Sequence, residues 1–318
     1  MTTTPLDLDP LTLPVHLRRE LIDQGWNDKA IGRLLRDGSW QRLRHGAYVE
    51  TAAFRALDDA GRHLVTTRCV LKQAQTETLV SHSSGAVLRG AATWGLPLDE
   101  VDLTRVDGRR GRREAGVRQH GGLLLPEDRA VVSGIPTTSA TRVALEVTTQ
   151  LDVEPAVGVV SHLLHTKQTT PELLAQRHDA PEGSLVHWPG TRANHVVLKL
   201  ADERFESIGE VRAFCVMWRH GLPLPELQYK VFYGSGRLVT ILDFAWPELG
   251  VFGEFDGRVK YEKYLRPGER ASDVVVREKQ REDLVRSITN WRGVRMVWHE
   301  LDDSARLAAR IHAVLVSR

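Results

Sequence analysis

The stretch of residues 237–257 constrains the fold of this chain more than any other, because it sets three acidic residues on two neighbouring strands. Its first half is rich in β-branched and apolar residues, and segment 246–250 carries the proline and glycine of a tight turn. Asp243 closes the first predicted strand, while Glu254 and Asp256 lie on the second. Because alternate residues of a strand share a face, Glu254 and Asp256 are predicted to point the same way.

A shared face for Asp243 as well would bring three carboxylates together. Unpaired carboxylates so close repel one another, and burying one without a partner is costly. A divalent cation resolves this conflict, and oxygen ligands suit Mg2+ or Mn2+. The stretch therefore predicts a metal site formed by Asp243, Glu254 and Asp256. The alternative is a turn-forming Asp243 with the other two residues on a solvated edge, although acidic residues are disfavoured in a central strand.

Length and composition describe a globular protein with room for two or three domains. The 318 residues are 42% apolar and 26% charged, with a formal net charge of +2. This charge is too small to indicate nucleic-acid binding by itself, so any basic surface has to be local. Two cysteines, Cys69 and Cys215, indicate a reducing compartment without a disulfide framework. The lack of a signal-peptide pattern and of an apolar run long enough to span a membrane predicts a cytoplasmic protein with no membrane partner.

The first fifty residues predict a winged helix-turn-helix. Apolar spacing indicates a helix over residues 15–24, which Gly25 ends. Asn27 can cap a second helix, and residues 40–49 indicate a strand, a glycine turn and a second strand. The second helix could enter a DNA major groove while the hairpin contacts backbone phosphates. The side chains predicted to contact DNA here are Lys29, Arg33, Arg36, Arg42, Arg44 and His45.

The alternative for this region is a small structural subdomain with a solvated basic face. The run of residues 38–49, however, resembles the N-terminal winged helix of AbiEi-type antitoxins, in which glycine, arginine and tyrosine recur at similar positions. This resemblance implies DNA as a partner of residues 1–52. It also implies a cognate toxin protein as a candidate partner.

Residues 53–197 predict a mixed α/β middle domain that resembles the central part of AbiEi-like proteins. Within it, His82 lies beside serines at positions 81, 83 and 84, which suggests a serine nucleophile with a histidine base. No acidic residue stands at a recognisable spacing from them. Helix capping by the serines is therefore the favoured interpretation.

The most basic run of the chain lies between residues 107 and 113. It predicts either a loop laid along nucleic-acid phosphates or an exposed, mobile loop kept soluble by its charge. Its arginines are Arg109, Arg110, Arg112 and Arg113.

Residues 198–318 predict a mixed sheet flanked by helices, in the order α-β-β-β-α-β-α. The first helix is expected to run from residue 198 to residue 220. This order and several short motifs resemble the PD-(D/E)XK nuclease superfamily, and more closely its branch near the very-short-patch repair (Vsr) endonucleases. The matching residues are Ser207, Glu210, Gly221, Leu222, Pro223, Pro225, Gln228, Asp243, Phe244, Ala245, Trp246, Pro247, Glu254, Phe255, Asp256, Gly257, Arg277, Glu278, Lys279, Arg281 and Trp291.

The resemblance implies that Asp243 and Glu254 bind the metal, and that Glu210 is a further ligand or positions water. The lysine usual in the family is replaced by Asp256, so Lys260 or Lys279 would have to supply that cation. An exposed helix glutamate is the alternative for Glu210, and a helix of neighbouring charge pairs is the alternative to phosphate contacts around Arg281. The implied catalytic residues are Asp243, Glu254, Asp256, Lys260 and Glu210.

The chain is therefore expected to be α/β, or α+β overall, with three domains over residues 1–52, 53–197 and 198–318. The leading functional hypothesis is a DNA-binding protein with a metal-dependent endonuclease-like domain that hydrolyses phosphodiester bonds. The alternative is an antitoxin-type transcriptional autoregulator whose nuclease fold is inactive. RNA remains open as a substrate, because phosphodiester chemistry does not identify the sugar.

Overall fold

The protein has a mixed α and β structure, as the sequence predicts. The computed structural model describes residues 8–180, 188, 194–257 and 271–317, the last range with side chains from residue 280 onward. These residues form twelve α-helices and thirteen strands in three sheets. The chain divides into two compact units, Met1–Lys199 and Leu200–Arg318. None of the described helices is both long and apolar enough to cross a membrane.

The first unit begins with two helices and a three-stranded sheet. The Asn27 side chain accepts a hydrogen bond from the Ala30 amide at 2.9 Å, which caps the second helix as expected. The predicted first helix starts later than residue 15, because residues 16 and 17 pair with the hairpin as a short strand. The elements are β1 His16–Leu17, α1 Arg18–Asp23, α2 Asp28–Arg36, β2 Trp40–Arg44 and β3 Ala47–Glu50, with sheet order β1-β3-β2.

Two further helices lead into a six-stranded sheet of order β6-β7-β5-β4-β9-β8, in which the β4–β9 and β5–β7 pairs are parallel. The helices are α3 Thr51–Ala56 and α4 Asp59–Gln73. The strands are β4 Thr78–Val80, β5 Val101–Arg105, β6 Arg112–Glu114, β7 Val117–His120, β8 Arg129–Val132 and β9 Ile135–Thr138.

The helices of this region are packed around α6 Ala140–Gln150, whose apolar side chains are fully buried. Gly85 allows a close helix pair, because a Cβ atom there would lie 2.8 Å from the Val143 side chain. The other helices are α5 His82–Leu88, α7 Val153–His165 and α8 Pro171–His178.

The second unit has a four-stranded sheet of order β10-β11-β12-β13, in which only the β12–β13 pair is parallel among the described strands. The predicted order α-β-β-β-α-β-α is the order found. Its elements are α10 Ile208–Arg219, β10 Glu226–Phe232, β11 Leu238–Trp246, β12 Val251–Asp256, α11 Ala271–Thr289, β13 Arg292–Val297 and α12 Ser304–Val316.

The single helix predicted over residues 198–220 is wrong. Two helices occupy this range, α9 Asn194–Leu200 and α10. The break between them ends at Ser207, whose hydroxyl accepts a hydrogen bond from the Glu210 amide at 3.2 Å and so caps α10. The apolar spacing of residues 198–220 continues without a break and does not reveal the cap at Ser207. It therefore predicts one helix where the structure has two.

Helix α10 lies close to β12 because Gly209 has no side chain. A Cβ atom at Gly209 would lie 2.0 Å from the ring of Phe255. Phe255 also meets Trp298 edge to face, at 5.3 Å between ring centroids. A separate core joins Leu242 and Phe252 of the sheet to Val285 of α11. The sheet therefore has apolar contacts with α10, which precedes its first three strands in the chain, and with α11, which follows them.

Candidate active site and nucleic-acid interface

Two of the predicted acidic residues occupy opposed positions on β11 and β12. The ladder between these strands runs from Trp246 and Val251 to Phe244 and Gly253, so the next opposed positions are Asp243 and Glu254. Asp243 does not close its strand as expected, because β11 continues to Trp246. One of its carboxylate oxygens, Oδ2, accepts a hydrogen bond from the Phe255 amide at 2.8 Å. The side chain is thus fixed beside the β12 backbone at this end of the ladder.

The environment of Glu254 favours its protonated form. Burial, and then the negative charge of Asp243, raise the pKa of Glu254 to about 8. The nearby Arg281 and Arg295 guanidinium groups oppose this rise. The Arg281 Nη2 atom lies 2.7 Å from Glu254 Oε2 in an ion pair. Glu254 therefore belongs to a partly buried pair of acids whose charge Arg281 and Arg295 partly compensate.

Asp256 has a different partner from Glu254. Its Oδ2 atom lies 3.3 Å from Arg295 Nη1, and Arg295 also approaches Glu282 of α11 at 3.7 Å. Among the residues that the structure describes, no group of three or more histidine, cysteine, aspartate or glutamate side chains is arranged to hold a metal ion. Asp256 is therefore not grouped with Asp243 and Glu254 in a three-acid metal site.

Glu210 is buried, with 3% of its surface exposed, so the alternative of an exposed helix glutamate is wrong. The Ser207 hydroxyl donates to its Oε1 atom at 2.6 Å, and the Glu206 amide donates to Oε2 at 3.0 Å. The side-chain amide of Gln228 approaches Oε2 at 3.5 Å. Glu210 is thus held at the start of α10 by the Ser207 hydroxyl and the Glu206 amide. Lys260 lies outside the described residues, as do the side chains of Arg277 and Lys279.

The N-terminal helices and hairpin present most of the predicted DNA contacts to solvent. Three of them, Lys29, Arg33 and Arg36, are exposed on α2. The hairpin adds two more exposed side chains, Arg42 and His45. Arg44 is half-buried, and its Nη1 atom donates to the Ala115 carbonyl at 2.7 Å. Arg44 therefore connects the hairpin to the turn between β6 and β7.

The arginine run is only partly a loop, because its second half forms the short strand β6. All four predicted arginines, Arg109, Arg110, Arg112 and Arg113, are exposed. In the β6–β7 ladder Arg112 is opposite Gln119, and Arg113 is opposite Arg118. Successive residues of a strand point to opposite faces, so Arg112 and Arg113 cannot contact the same surface.

Sequence reasoning missed a polar cluster inside the six-stranded region. The ring of His82 stacks on that of His120 at 3.6 Å between centroids. The Glu146 carboxylate accepts from the His82 amide at 3.0 Å, and Asp102 lies 2.7 Å from His120 Nε2. Burial, and then the charge of His120, hold the pKa of His82 well below its usual range. These acidic partners stand 64 and 18 positions away from the histidines they contact, so spacing could not reveal them.

The helix-capping role predicted for the serines is wrong. Ser81 is the residue before α5, but its side chain makes no capping hydrogen bond. Its hydroxyl instead lies 3.0 Å from His82 Nδ1, and the Ser84 hydroxyl accepts from the Asp102 amide at 2.8 Å. Ser81 and Glu146 are completely buried. The cluster therefore belongs to the interior and organises the packing of α5 on the sheet.

Comparison with known proteins gives relatives but no function. No family model matches the chain. Two uncharacterized proteins of Mycobacterium tuberculosis, from strains CDC 1551 / Oshkosh and ATCC 25618 / H37Rv, are each 32% identical to it over 184 residues. The matched stretch is 57% of this chain and 62% of each relative. The chain thus spans less than two thirds of the length of these relatives.

Proposed function

We propose that the protein binds DNA through its winged-helix region and hydrolyses phosphodiester bonds at the Asp243–Glu254 pair with a divalent cation. The pair carries the proposal, because burial and then the neighbouring charge of Asp243 raise the pKa of Glu254 to about 8. Such a perturbed pair is common at catalytic sites. A DNA target would place this activity in the cytoplasm.

The pair suits Mg2+ or Mn2+, because a divalent cation would relieve the repulsion that raises the Glu254 pKa. Asp243 and Glu254 would hold the ion. Asp256 is not counted among the ligands, because the described residues contain no group of three such side chains arranged to hold a metal ion. When bound, the ion would lower the pKa of a water molecule and neutralise charge that develops on the phosphate.

Other residues of this unit would prepare the site. Glu210 has a fixed orientation, because Ser207 and the Glu206 amide each donate to one of its oxygens. A carboxylate held in this way can accept a hydrogen bond from an attacking water and orient it. Arg281 presents a guanidinium group next to Glu254. On substrate binding this group can exchange the carboxylate for a phosphate oxygen, which guanidinium groups also bind well.

Plasmid cleavage tests the hydrolase directly. Purified full-length protein is incubated with supercoiled DNA and Mg2+ or Mn2+, beside Asp243→Asn, Glu254→Gln and the matched control Asp256→Asn. We expect the wild type and the control to nick the plasmid and the first two variants to lose at least about a hundredfold in rate, as for removal of a charge-stabilising group. Equal rates in all four proteins would reject the assigned pair.

A second candidate function is an antitoxin-type transcriptional autoregulator with an inactive nuclease fold. Two ion pairs favour it, one between Glu254 and Arg281 and one between Asp256 and Arg295. In each pair an arginine occupies an acid that is otherwise suited to bind a metal. Its test is footprinting of the protein's own promoter without metal. Protection that persists in Asp243→Asn, together with no cleavage by the wild type, would favour the autoregulator over the hydrolase.

Both candidates require DNA binding by the first unit. A double variant, Arg33→Ala with Arg36→Ala, removes two exposed cations from α2. We expect its affinity for duplex DNA to fall steeply and its salt dependence to weaken, because fewer phosphates are neutralised. Unchanged affinity would exclude α2 from the interface.

A further inference from the structure

We propose that a basic cleft next to the winged-helix hairpin binds backbone phosphates of the DNA. The cleft has a volume of about 540 Å3 and is lined by Arg44, Arg105, Arg109 and Arg112, with Glu114 as its acidic residue. This inference rests on the DNA-binding half of the proposed function, and not on hydrolysis. It assigns phosphate contacts to a surface outside α2, the helix predicted to enter the DNA major groove.

One face of the sheet supplies the floor of the cleft. In the registers of β5, β6 and β7, Leu103 is opposite Gln119, and Gln119 is opposite Arg112. All three residues line the cleft. The opposed pair Arg113 and Arg118 does not line it, which agrees with their alternate positions on the same strands. Because successive residues of a strand point to opposite faces, Arg112 lines the cleft and the adjacent Arg113 does not.

The arginine run is held in place at the edge of this cleft. A Cβ atom at Gly111 would lie 2.2 Å from the Gln119 carbonyl oxygen, so glycine lets the run approach β7 closely. The Asp107 carboxylate accepts from the Arg109 amide at 3.2 Å and also pairs with the Arg105 guanidinium. These contacts support an ordered structure over the alternative of a mobile, solubilising loop.

The cations of the cleft are only partly neutralised by the protein. Arg44 donates to a neutral carbonyl, that of Ala115. Arg109 and Arg112 approach carboxylates only loosely, at 3.8 Å from Asp107 and 3.7 Å from Glu114. Both arginines are largely exposed. An anion can therefore reach them without breaking a close ion pair.

The hairpin makes DNA the expected source of the phosphates. Arg44 lies between Arg42 and His45, which are exposed on the hairpin that the proposed function places against a DNA backbone. A DNA strand whose phosphates contact the hairpin would continue into the cleft. Arginine side chains with several donors suit phosphate oxygens, and such contacts position DNA without reading its sequence.

Fluorescence anisotropy with a labelled duplex, repeated over a range of salt concentrations, tests the cleft. The variants are Arg112→Ala and Arg109→Ala in the cleft, with Arg113→Ala and Arg118→Ala as matched controls on the opposite face. We expect each cleft variant to bind about tenfold more weakly, as for loss of a charged hydrogen bond. The slope of log affinity against log salt should fall by about one for each of them, with the controls close to wild type.

The outcomes separate the cleft from the winged helix. Equal losses in Arg112→Ala and Arg113→Ala would mean a general effect of charge and would overturn the cleft proposal. Wild-type binding in both cleft variants, with loss in the Arg33→Ala and Arg36→Ala double variant, would overturn the cleft and leave DNA binding intact. A wild-type protein that fails to bind duplex DNA would reject both proposals.

Discussion

Asp243 and Glu254 lie on neighbouring strands, each one residue beyond the last paired positions, and the charge of Asp243 adds to burial in raising the pKa of Glu254 to about 8. Asp243 accepts a hydrogen bond from the Phe255 amide, which holds its carboxylate beside β12. Near neutral pH Glu254 thus retains its proton, and it can release that proton when a cation binds.

Removing the charge of Asp243 should lower the pKa of Glu254. In Asp243→Asn the repulsion is lost, while burial and the arginines remain. We expect the pKa of Glu254 to move toward its ordinary value, measured by carbon NMR of the glutamate carboxyl groups across a pH titration. Arg281→Ala is the opposing control, because it removes a charge that lowers this pKa and should raise it further. An unchanged titration in both variants would contradict the assigned contacts.

Glu254 should also make the free energy of unfolding fall as pH rises, which is opposite to the usual effect of a carboxylate. Its pKa is raised from 4.5 to about 8 on folding, so the folded state binds the proton more tightly than the unfolded state. The stability from this group is complete below about pH 4.5 and is lost as pH rises toward about 8. In urea unfolding without added metal, Glu254→Gln should therefore gain stability relative to wild type as pH increases over this range.

The control for this pH dependence is Glu248→Gln, at an exposed glutamate in the turn between β11 and β12. It should keep the pH dependence of the wild type. If Glu254→Gln also keeps it, the proton is not bound at Glu254.

The packing of α10 on β12 should tolerate no side chain at Gly209. A methyl group there would lie 2.0 Å from the Phe255 ring, which also packs against Trp298. We expect Gly209→Ala to lower the free energy of unfolding by about 1–3 kcal/mol, as overpacking does. Gly234→Ala is the matched control, because nothing lies within 4 Å of a Cβ atom at that position. Comparable urea midpoints for the two variants would contradict this close contact.

Local patterns predicted the elements that carry the acids, but not the partners of those acids. Alternation and the turn residues placed Asp243 and Glu254 on adjoining strands, which the structure confirms. The arginine that pairs with Glu254 comes from α11, 27 positions away along the chain. Such a contact depends on how a helix crosses the sheet, and no spacing rule encodes it. The candidate metal site consequently consists of Asp243 and Glu254, without the predicted third acid, Asp256.

The same limit explains the polar cluster around His82. Its serines suggested helix caps from local spacing, yet their hydroxyl groups bond to His82 and to the β5 backbone. The acidic partner Glu146 comes from α6, which packs against α5 only in the folded chain. Short-range signals such as the Asn27 cap were correct because both partners lie within one turn of helix.

A buried ion cluster in the first unit should depend strongly on Asp128. This carboxylate accepts from Arg177 at 2.7 Å and from Arg142 at 2.9 Å, and all three side chains are at least 95% buried. The two guanidinium groups hold the pKa of Asp128 below its usual value despite burial. Asp128→Asn would leave two buried cations without their shared anion, which costs about 3–5 kcal/mol. We expect a loss of this size in urea unfolding.

The control for this cluster is Asp28→Asn, which breaks an exposed pair with Arg18 at 2.7 Å. Exposed pairs contribute little, because water and salt screen them, so the midpoint should barely move. Raising the salt concentration should weaken the small effect of Asp28→Asn and leave that of Asp128→Asn nearly unchanged, since buried charges are poorly screened. Equal effects at both sites would mean that Asp128 is hydrated in solution rather than enclosed by its arginines.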